Sequence, residues 1–429
     1  MNVIQFFKKI IPHGLWKQLK KAQRYYRWCS QWCVYKKEVI RLQKSDIPLN
    51  VVFLVLYPSV WKYDSVYQLM EKDPMFNPLI LACPAVDQGE EHMMETLNGT
   101  YNYLRGKGYK VLKSYNEQTG EYIDVKTLHP DILFYASQWD GHYDVRYQSQ
   151  TLKKYLKCYV NYSYKNNPFE WSIASQFQGR MWMYFSECED NKKLAMSFNK
   201  REFANMRVVG YPMYDEIIAT KEMGKDWKIQ NKQLKRIIWA PHHSIEGQDG
   251  LLKFSTFLLN ADAISILAEK YKDQVQWVFK PHPQLKVVLY RHPDWGKERT
   301  DAFYKRWEDG KNTNYVNGAY VDLFKSSDAM IHDCGSFVVE YLYVNKPVMF
   351  LSKYDREGQS NEVGKKAFHC HYEGTTAEDI ERFIVDVVIN GNDTMTEKRQ
   401  QFYDDILVPP NGLSVAENII NEIKKELHK

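Results

Sequence analysis

Short apolar runs separated by helix-length segments recur along most of this chain, and this alternation restricts the fold more than any other feature. The first half contains "LNVVFLVLY" (49–57), "NPLILACP" (77–84), "HPDILFYAS" (129–137) and "KYLKCYVNYSY" (154–164). Continuous apolar strands of this kind are typical of a parallel sheet that is covered on both faces. Strands that alternate with helices predict right-handed β-α-β units, and therefore a doubly wound α/β fold.

A second series of strands follows a polar, lysine-rich stretch at 221–235. It comprises "LKRIIWAPHHS" (234–244), "QVQWVFKPHPQ" (274–284), "AYVDLFKSSDAMIHD" (319–333) and "KPVMFLS" (346–352). A chain of 429 residues is long for one core. We therefore predict two Rossmann-like lobes joined near residue 230, with these segments: a basic helix at 1–45, an acceptor lobe at 46–230, a donor lobe at 231–410 and a closing helix at 411–429.

The excess positive charge lies at one end of the chain. Residues 1–44 contain eleven Lys or Arg and one acidic residue, Glu38, whereas the remainder has 47 basic and 52 acidic residues, a net of −5. Apolar residues recur in this segment at spacings of three or four, with Leu15, Leu19 and Tyr26 among them. The pattern predicts a basic amphipathic helix, with a break near Pro12 and Gly14.

A basic helix with aromatic and aliphatic residues on its other face is typical of proteins that bind an anionic membrane surface. Packing of this helix on its own domain is the alternative, and RNA binding is a weaker one because no nucleic-acid motif accompanies the aromatics. The chain has no apolar stretch of membrane-spanning length and no secretory signal. We expect a cytoplasmic protein that is peripheral on the inner face of the plasma membrane.

The cysteines do not suggest a disulfide framework or a zinc site. Seven are scattered along the chain, which fits a reducing compartment. Cys29 and Cys33 lie one helical turn apart, and "HCH" spans 369–371, but no second ligand pair follows at zinc-like spacing. We predict neither a metal nor a cofactor.

Polar residues follow three strands of the second lobe at the point where each strand ends. They are His242, His243 and Ser244 after "IIWAP", Lys280 and His282 around "FKPHP", and Asp333, Cys334, Gly335 and Ser336 after "AMI" and His332. Ligands of doubly wound folds bind outside the carboxyl ends of the strands. A capped loop is the ordinary explanation for any single one of these histidines. Their coincidence at three strand ends predicts an anion site.

The turn at 333–336 is suited to a phosphate. Gly335 has no Cβ and allows close approach of a ligand, and Ser336 stands at the start of the next helix, where free N–H groups favour an anion. Glu340, one turn later, is a candidate for binding ribose hydroxyls. The alternative is that Asp333 and Ser336 only cap the helix and that Glu340 is solvated.

Four motifs resemble the CDP-glycerol glycerophosphotransferase family, which includes teichoic acid polymerases, primases and capsule-linked relatives. They are "GYPMYDEI" (210–217), "WAPHHS", "FKPHP" and "SSDAMIHDCGSFVVEYLYVNKPVMFL". Asp333, Ser336 and the pair Lys346–Pro347 match the family pattern, whereas His332, Cys334 and Gly335 replace its usual Thr, Tyr and Ser. The resemblance is good from about residue 207 to 351 and weak before it.

The resemblance implies a GT-B fold, with a cleft between the lobes and the nucleotide in the C-terminal lobe. It also implies transfer of glycerol phosphate, or a similar polyol phosphate, from a CDP donor to a membrane-linked glycan or teichoic-acid-like acceptor, with release of CMP. His282 is expected beside the diphosphate, and His243, Ser244 and Lys280 are further candidates for donor binding. Positive dipoles and imidazoles would take the place of a metal ion.

One departure from the family concerns the general base. Teichoic acid polymerases have a His-Gly pair in the N-terminal lobe, but the corresponding loop here, "YVNYSYKNNP", contains no His. His142 in "WDGHYD" is the leading substitute, since imidazole suits proton transfer near neutral pH. Tyr162, Glu187, Glu189, His242 and His243 remain possible.

Two other functions fit the same residues. A GT-B glycosyltransferase that uses a UDP- or CMP-sugar would keep most of this site. A catalytically silent partner, which binds a nucleotide or a lipid-linked glycan during capsule assembly, would explain the missing His-Gly pair. The sequence does not favour nucleic acid as a partner of either.

Overall fold

The computed structural model describes residues 13–245, 254–353 and 355–428, which form two compact units. Of these residues, 13–162, 169–209 and 415–428 belong to the first unit, and the rest, including the short segment 163–168, belong to the second. Both units have an α/β fold built on a parallel sheet, so the predicted fold class is confirmed. Residues 1–12, the leading part of the predicted basic helix, lie outside the described residues.

The sheet of the first unit has seven strands in the described residues, with the order β3-β2-β1-β4-β5-β6-β7. All neighbours pair in parallel. The strands are β1 (Leu49–Val55), β2 (Phe76–Ala82), β3 (Val111–Lys113), β4 (Ile132–Tyr135), β5 (Leu156–Val160), β6 (Met183–Ser186) and β7 (Met206–Val208). Most of these strand residues are buried, as expected for a sheet covered on both faces.

Helices connect these strands and cover the sheet. They are α1 (His13–Gln43), α2 (Asp64–Lys72), α3 (Glu90–Gly106), α4 (Glu170–Ile173), α5 (Gln176–Gly179), α6 (Glu189–Phe198) and, from the end of the chain, the helix Val415–Leu427, numbered α16 below. Short 3-10 turns lie at Pro58–Val60, Val125–Leu128 and Asp140–His142.

The sheet of the second unit has six strands in the described residues, again all parallel, with the order β10-β9-β8-β11-β12-β13. They are β8 (Lys235–Ala240), β9 (Val275–Phe279), β10 (Thr313–Tyr315), β11 (Ala329–His332), β12 (Val348–Leu351) and β13 (Tyr372–Gly374). The order reverses at β8, which lies between β9 and β11, as in a Rossmann fold.

The helices of the second unit include two that continue as π-helices. They are α7 (Met213–Ala219), α8 (Phe257–Lys270), α9 (Leu285–Arg291), α10 (Gly296–Asp309), α11 (Val321–Ser326), α12 (Phe337–Glu340), α13 (Glu362–Phe368), α14 (Ala377–Arg382) and α15 (Thr396–Phe402). The π segments, Phe383–Ile389 and Tyr403–Leu407, follow α14 and α15. 3-10 turns lie at Tyr341–Val344, Glu357–Gln359 and Pro410–Gly412.

The division between the units differs from the sequence boundaries. The second unit begins at Gly210, not near 230, because α7 packs with elements of that unit. Lys325 holds this helix by donating hydrogen bonds from Nζ to the carbonyl oxygens of Ile217 and Thr220, at 2.8 and 2.6 Å. The closing helix is also present, as α16, but it packs on α1 and α2 of the first unit.

Helix α1 presents two different faces. Gln31, Tyr35 and Leu42 are buried against the first unit, where the Tyr35 hydroxyl donates to the carbonyl oxygen of Arg180 at 2.5 Å. Leu15 and Leu19 lie on the opposite face and are about half exposed. Thus one side of the helix packs on its own unit, and an apolar stripe remains on the other. Among the described residues no helix is both long and apolar enough to cross a bilayer.

Candidate functional site

The strand ends at the reversal point of the second sheet carry the polar residues predicted from the sequence. His242 and His243 follow β8, His282 follows β9, and Asp333 to Ser336 follow β11. Because β8 is hydrogen-bonded to both β9 and β11, the three loops leave the sheet side by side. In open α/β sheets this reversal is where ligands bind.

The imidazoles of His242, His243 and His282 form one cluster. The ring centroids of His243 and His282 are 4.1 Å apart, those of His242 and His243 4.2 Å, and those of His242 and His282 5.0 Å. One ring nitrogen from each residue lies within 4.8 Å of the others. Such an arrangement is able to hold either a metal ion or an anion, and the hydrogen bonds around the rings distinguish the two.

The hydrogen bonds of the cluster favour an anionic ligand. The backbone N–H of Gln284 donates to Nδ1 of His282 at 3.2 Å, and that of Ser244 donates to Nδ1 of His242 at 3.3 Å. In a neutral imidazole whose Nδ1 accepts, the proton is on Nε2. His242 and His282 therefore offer N–H donors and lack the free Nε2 lone pair that a metal requires.

Burial keeps these imidazoles neutral at physiological pH in the free protein. Burial and the adjacent His243 lower the pKa of His282 to about 3, and burial lowers the pKa of His242 and His243 as well. Nδ1 of His243 is buried and has no hydrogen-bond partner among the described residues. A ligand with several acceptor oxygens would satisfy these donors.

Asp333 fixes the loop that carries the first two histidines. Its side chain is buried, and its carboxylate accepts hydrogen bonds from the backbone N–H of His242 and from the backbone and hydroxyl of Thr256. Burial raises the pKa of Asp333 to about 7. The residue therefore acts as a positioning group for the imidazole cluster, and the prediction that it contacts the donor itself stays a prediction.

The turn at Gly335 and Ser336 lies next to the imidazole loop. A Cβ built on Gly335 would lie 3.7 Å from the ring of Phe254, and that ring lies 5.3 Å from the ring of His242. Cys334 also contacts this loop through Ala240. Ser336 precedes α12, which runs for four residues and continues directly as the 3-10 turn Tyr341–Val344.

Lys280 and Glu340 differ in how they are held. Nζ of Lys280 donates to the carbonyl oxygen of Gly318 at 3.2 Å and lies over the ring of Tyr320. The carboxylate of Glu340 is buried and accepts hydrogen bonds from the hydroxyls of Tyr211 and Tyr320, at 2.9 and 2.8 Å. Its two oxygens already have partners in the free protein, and ribose binding by Glu340 stays a prediction.

Arg356 is a site residue that the sequence reasoning missed. It follows β12, the neighbour of β11, and its guanidinium carbon lies 4.5 Å from the ring centroid of Phe254. Its charge contributes to the lowered pKa of His242 and partly offsets the burial that raises the pKa of Asp333, so a permanent cation lies close to the cluster. Its position after the end of a strand could have suggested Arg356 as a candidate, but no histidine or glycine motif marks it in the sequence.

The first unit has its own group of polar residues at the carboxyl ends of its strands. Nδ1 of His142 lies 3.3 Å from the hydroxyl of Tyr57 and 3.7 Å from Oδ1 of Asp87. These three residues follow β4, β1 and β2, which are adjacent. If Nδ1 carries the proton and directs it at this hydroxyl and carboxylate, Nε2 is free to act as a base. The sequence had selected His142 but not its two partners.

The other candidate bases of this unit are tied to neighbours. The hydroxyl of Tyr162 accepts a hydrogen bond from the indole of Trp139 at 3.1 Å. Glu187 is buried, and its oxygens accept hydrogen bonds from Asn161 and Asn191 at 2.9 and 3.1 Å. These hydrogen bonds favour a structural role for Glu187 over the role of general base. Glu189 begins α6 and is exposed.

A family model described as CDP-Glycerol:Poly(glycerophosphate) glycerophosphotransferase matches residues 180–425, more than half of the chain. A comparison with curated proteins found no match.

Solved structures with the same fold cover nearly the whole chain. The wall teichoic acid polymerase TagF, in a structure soaked with CDPG, is 13% identical with a TM-score of 0.52, covering 96% of this chain and 98% of that one. MnaA of S. aureus with UDP is 15% identical with a TM-score of 0.55, covering 89% and 97%. UDP-GlcNAc 2-epimerase of Neisseria meningitidis with UDP-GlcNAc is 13% identical with a TM-score of 0.55, covering 88% and 100%.

Proposed function

Because the chain belongs to the CDP-glycerol:poly(glycerophosphate) glycerophosphotransferase family, we propose that it transfers glycerol phosphate, or a similar polyol phosphate, from a CDP-activated donor to a surface glycan or teichoic-acid-like acceptor, releasing CMP. The observation that carries this proposal is the cluster of His242, His243 and His282 at the reversal point of the second sheet. The family membership supports the class of enzyme and the CDP-glycerol donor.

The donor diphosphate would bind at the imidazole cluster. Neutral imidazole N–H groups donate to phosphate oxygens, while Lys280 and Arg356 supply the positive charge that balances the anion. Ser336 and the backbone of Gly335 complete the proposed contacts from the next strand end. A Cβ on Gly335 would make only ordinary contact with Phe254, so the fold itself leaves room for alanine there.

The proposed reaction is a displacement at phosphorus. The acceptor hydroxyl oxygen attacks the phosphorus that carries the glycerol, a new P–O bond forms, and the bond to the bridging oxygen breaks with CMP as the leaving group. The cluster, Lys280 and Arg356 would stabilise the negative charge that grows on CMP. The proton of the acceptor hydroxyl must go to a base, for which we propose Nε2 of His142, held by Asp87 and Tyr57. His243 is the alternative, because its Nδ1 has no partner among the described residues.

A donor panel tests this function. Purified full-length protein is incubated with CDP-glycerol, CDP-ribitol and UDP-sugars, and released CMP and UDP are measured by chromatography together with the mass of the product. CMP release from a CDP-polyol supports the proposal, and turnover of UDP-sugars alone contradicts it in favour of a glycosyltransferase. A protein that binds CDP-glycerol without turning over any donor would be the silent partner.

Three variants test whether CMP release and donor binding depend on the proposed site. His282→Ala and Ser336→Ala should lower CMP release, and Gly335→Ala should fold normally but bind CDP-glycerol more weakly. His369→Ala is the matched control, because its side chain is exposed and lies outside the cluster in the same unit. Equal activity in His282→Ala and His369→Ala would refute the assignment of the donor site.

We also propose that α1 contacts an anionic membrane surface. The exposed stripe of Leu15, Leu19 and Tyr26 supports this, together with the eleven basic residues of 1–44. Deletion of the helix is a poor test, since its buried residues support the first unit. The variant Leu15→Ser/Leu19→Ser/Tyr26→Ser should reduce sedimentation with phosphatidylserine vesicles, whereas Gln18→Ser/Gln23→Ser should not. Equal sedimentation of both variants would contradict a membrane contact through this stripe.

A further inference from the structure

An aromatic shelf, formed by Phe169, Trp171, Trp139 and His142, lies on the surface of the first unit. Successive rings are nearly parallel: Phe169 and Trp171 have centroids 5.7 Å apart and an interplanar angle of 10°, and Trp171 and Trp139 are 6.2 Å apart at 29°. The ring of His142 continues the series, 6.2 Å from Trp139 at 22°. Two segments that are distant in sequence build one continuous surface.

The two tryptophans of the shelf are exposed rather than packed in the core. Trp139 is 39% exposed and Trp171 47% exposed, although this unit buries most of its large aromatic residues. Solvent-exposed contiguous aromatic surface on a soluble protein commonly marks a ligand site. Trp139 and Trp171 are therefore not needed to fill the core. A general base at His142 does not require them either.

The shelf is held in a fixed orientation. The indole N–H of Trp139 donates to the hydroxyl of Tyr162 at 3.1 Å, which fixes the plane of that ring. Trp171 lies in the first turn of α4, and its ring neighbours those of Phe169 and Trp139 while about half of the residue stays exposed. A preorganised aromatic surface binds a flat ligand face with little loss of side-chain entropy.

One end of the shelf is polar. His142, the last ring, lies beside Asp87 and the hydroxyl of Tyr57. A hexopyranose has the complementary form, with an apolar face of C–H groups that packs on aromatic rings and a rim of hydroxyls that donate and accept hydrogen bonds. A flexible chain of glycerol phosphates has no ring to stack on these side chains.

We infer that this shelf binds a pyranose ring of the acceptor, with one of its hydroxyls placed at His142. The inference rests on the proposed function and makes it more specific, since the acceptor is then a sugar-containing chain and not a polymer of glycerol phosphate alone. Trp139 and Trp171 determine which acceptor binds, and they have no part in holding the donor.

Binding without any donor tests this inference separately from the proposed function. The full-length protein is titrated with neutral tetrasaccharides of glucose, galactose and N-acetylglucosamine, and with a glycerol phosphate oligomer, while tryptophan fluorescence and calorimetry are recorded. At least one neutral sugar should bind, and Trp139→Ala and Trp171→Ala should each weaken its binding by about tenfold, because each removes a stacked face. Phe198→Ala is the control, since Phe198 is a similarly exposed aromatic residue on α6.

Binding of CDP-glycerol to the same variants separates the two hypotheses. Unchanged donor affinity with weakened sugar binding supports the shelf, even if the donor proves to be a different nucleotide. The inference is overturned if no sugar of the panel binds at concentrations up to about 10 mM. It is also overturned if the tryptophan variants bind sugar as tightly as Phe198→Ala does, or if they lose the glycerol phosphate oligomer instead.

Discussion

The two units place different chemistry at equivalent positions of the same topology. In each, the sheet order reverses at one strand, and the loops at this point carry the functional candidates. The second unit presents imidazoles with nearby cations, Lys280 and Arg356. The first presents tryptophans and a histidine beside an acid, Asp87. The difference teaches that topology fixes where a ligand binds, while side chains decide whether it is an anion or a neutral ring.

The two cores differ in a parallel way. In the first unit buried tyrosines donate to backbone carbonyls, as Tyr143 does to Leu54 and Tyr135 to Tyr147, at 3.1 and 2.8 Å. In the second unit Trp239, Phe257 and Phe279 pack face to face or tilted, and the two phenylalanines need no such partners. A tyrosine core requires specific acceptors, so the first unit is the less tolerant of changes in the backbone of its loops.

The largest expected effect is the loss of donor chemistry in His282→Ala. Removing one preorganised donor from the phosphate site should lower CMP release by about a hundredfold or more. Affinity for neutral sugars, measured without donor, should remain unchanged because the shelf belongs to the other unit. Parallel loss of both activities would show that the assignment of donor and acceptor to separate units is wrong.

A change at His142 should lower transfer to the acceptor by a smaller factor and should leave donor binding intact. His142→Gln should lower transfer to a good acceptor by about a hundredfold or less, since loss of a general base typically has this size, and donor affinity should not change. Asp87→Asn should produce part of the same loss, because it removes the charge that orients the imidazole. Single-turnover transfer and calorimetry with CDP-glycerol measure the two effects. Wild-type transfer rates in His142→Gln would show that His142 is not the base and would favour His243 instead.

Asp333→Ala should affect stability and the donor site together. The variant leaves three donors without their acceptor, which costs about 2 to 3 kcal/mol of unfolding free energy in a buried site. Donor binding should weaken because the loop of His242 loses its anchor. Thr220→Ala, at the half-buried residue that follows α7 in the same unit, controls for general effects in urea unfolding. A stable variant with weak donor binding would mean that Asp333 contacts the ligand itself.

The smallest expected effect concerns Lys157, which is buried in the first unit. Burial lowers the pKa of its amine to about 7 from an ordinary 10.5. Between these values the unfolded state holds a proton that the folded state has released, so the free energy of unfolding should rise with pH, by about 1 kcal/mol per pH unit. Below pH 7 both states are protonated and the cost of burying the charge is fully present.

Lys157→Met should flatten this rise in thermal unfolding between pH 7 and 9. A control is Lys193→Met, whose side chain is exposed on the same unit. Stability of the wild type that falls over this range, or a rise that persists in Lys157→Met, would show that other groups govern the pH dependence.

Local patterns in the sequence were sufficient to predict the strands and to select the three histidines of the proposed donor site. Apolar runs such as Leu49–Val55 identify strands by themselves, and residues that follow strands of one parallel sheet meet at one edge. The shelf could not be predicted in the same way. Trp139 and Trp171 are separated by a strand and a loop, and their stacking depends on how those elements pack. Arg356 and Asp87 could not be predicted for the same reason, since only the folded structure shows that each lies beside a candidate histidine.

The path of the chain has a consequence for how the protein is made. The first unit is completed by α16, which is bound through Lys424 to Asp73 and through Glu422 to Arg207, at 2.6 and 3.1 Å. A ribosome must therefore synthesise more than two hundred further residues after β7 before this earlier unit is finished. Until then the surface of α2 that α16 covers remains open, and transiently exposed apolar surface of this kind favours aggregation.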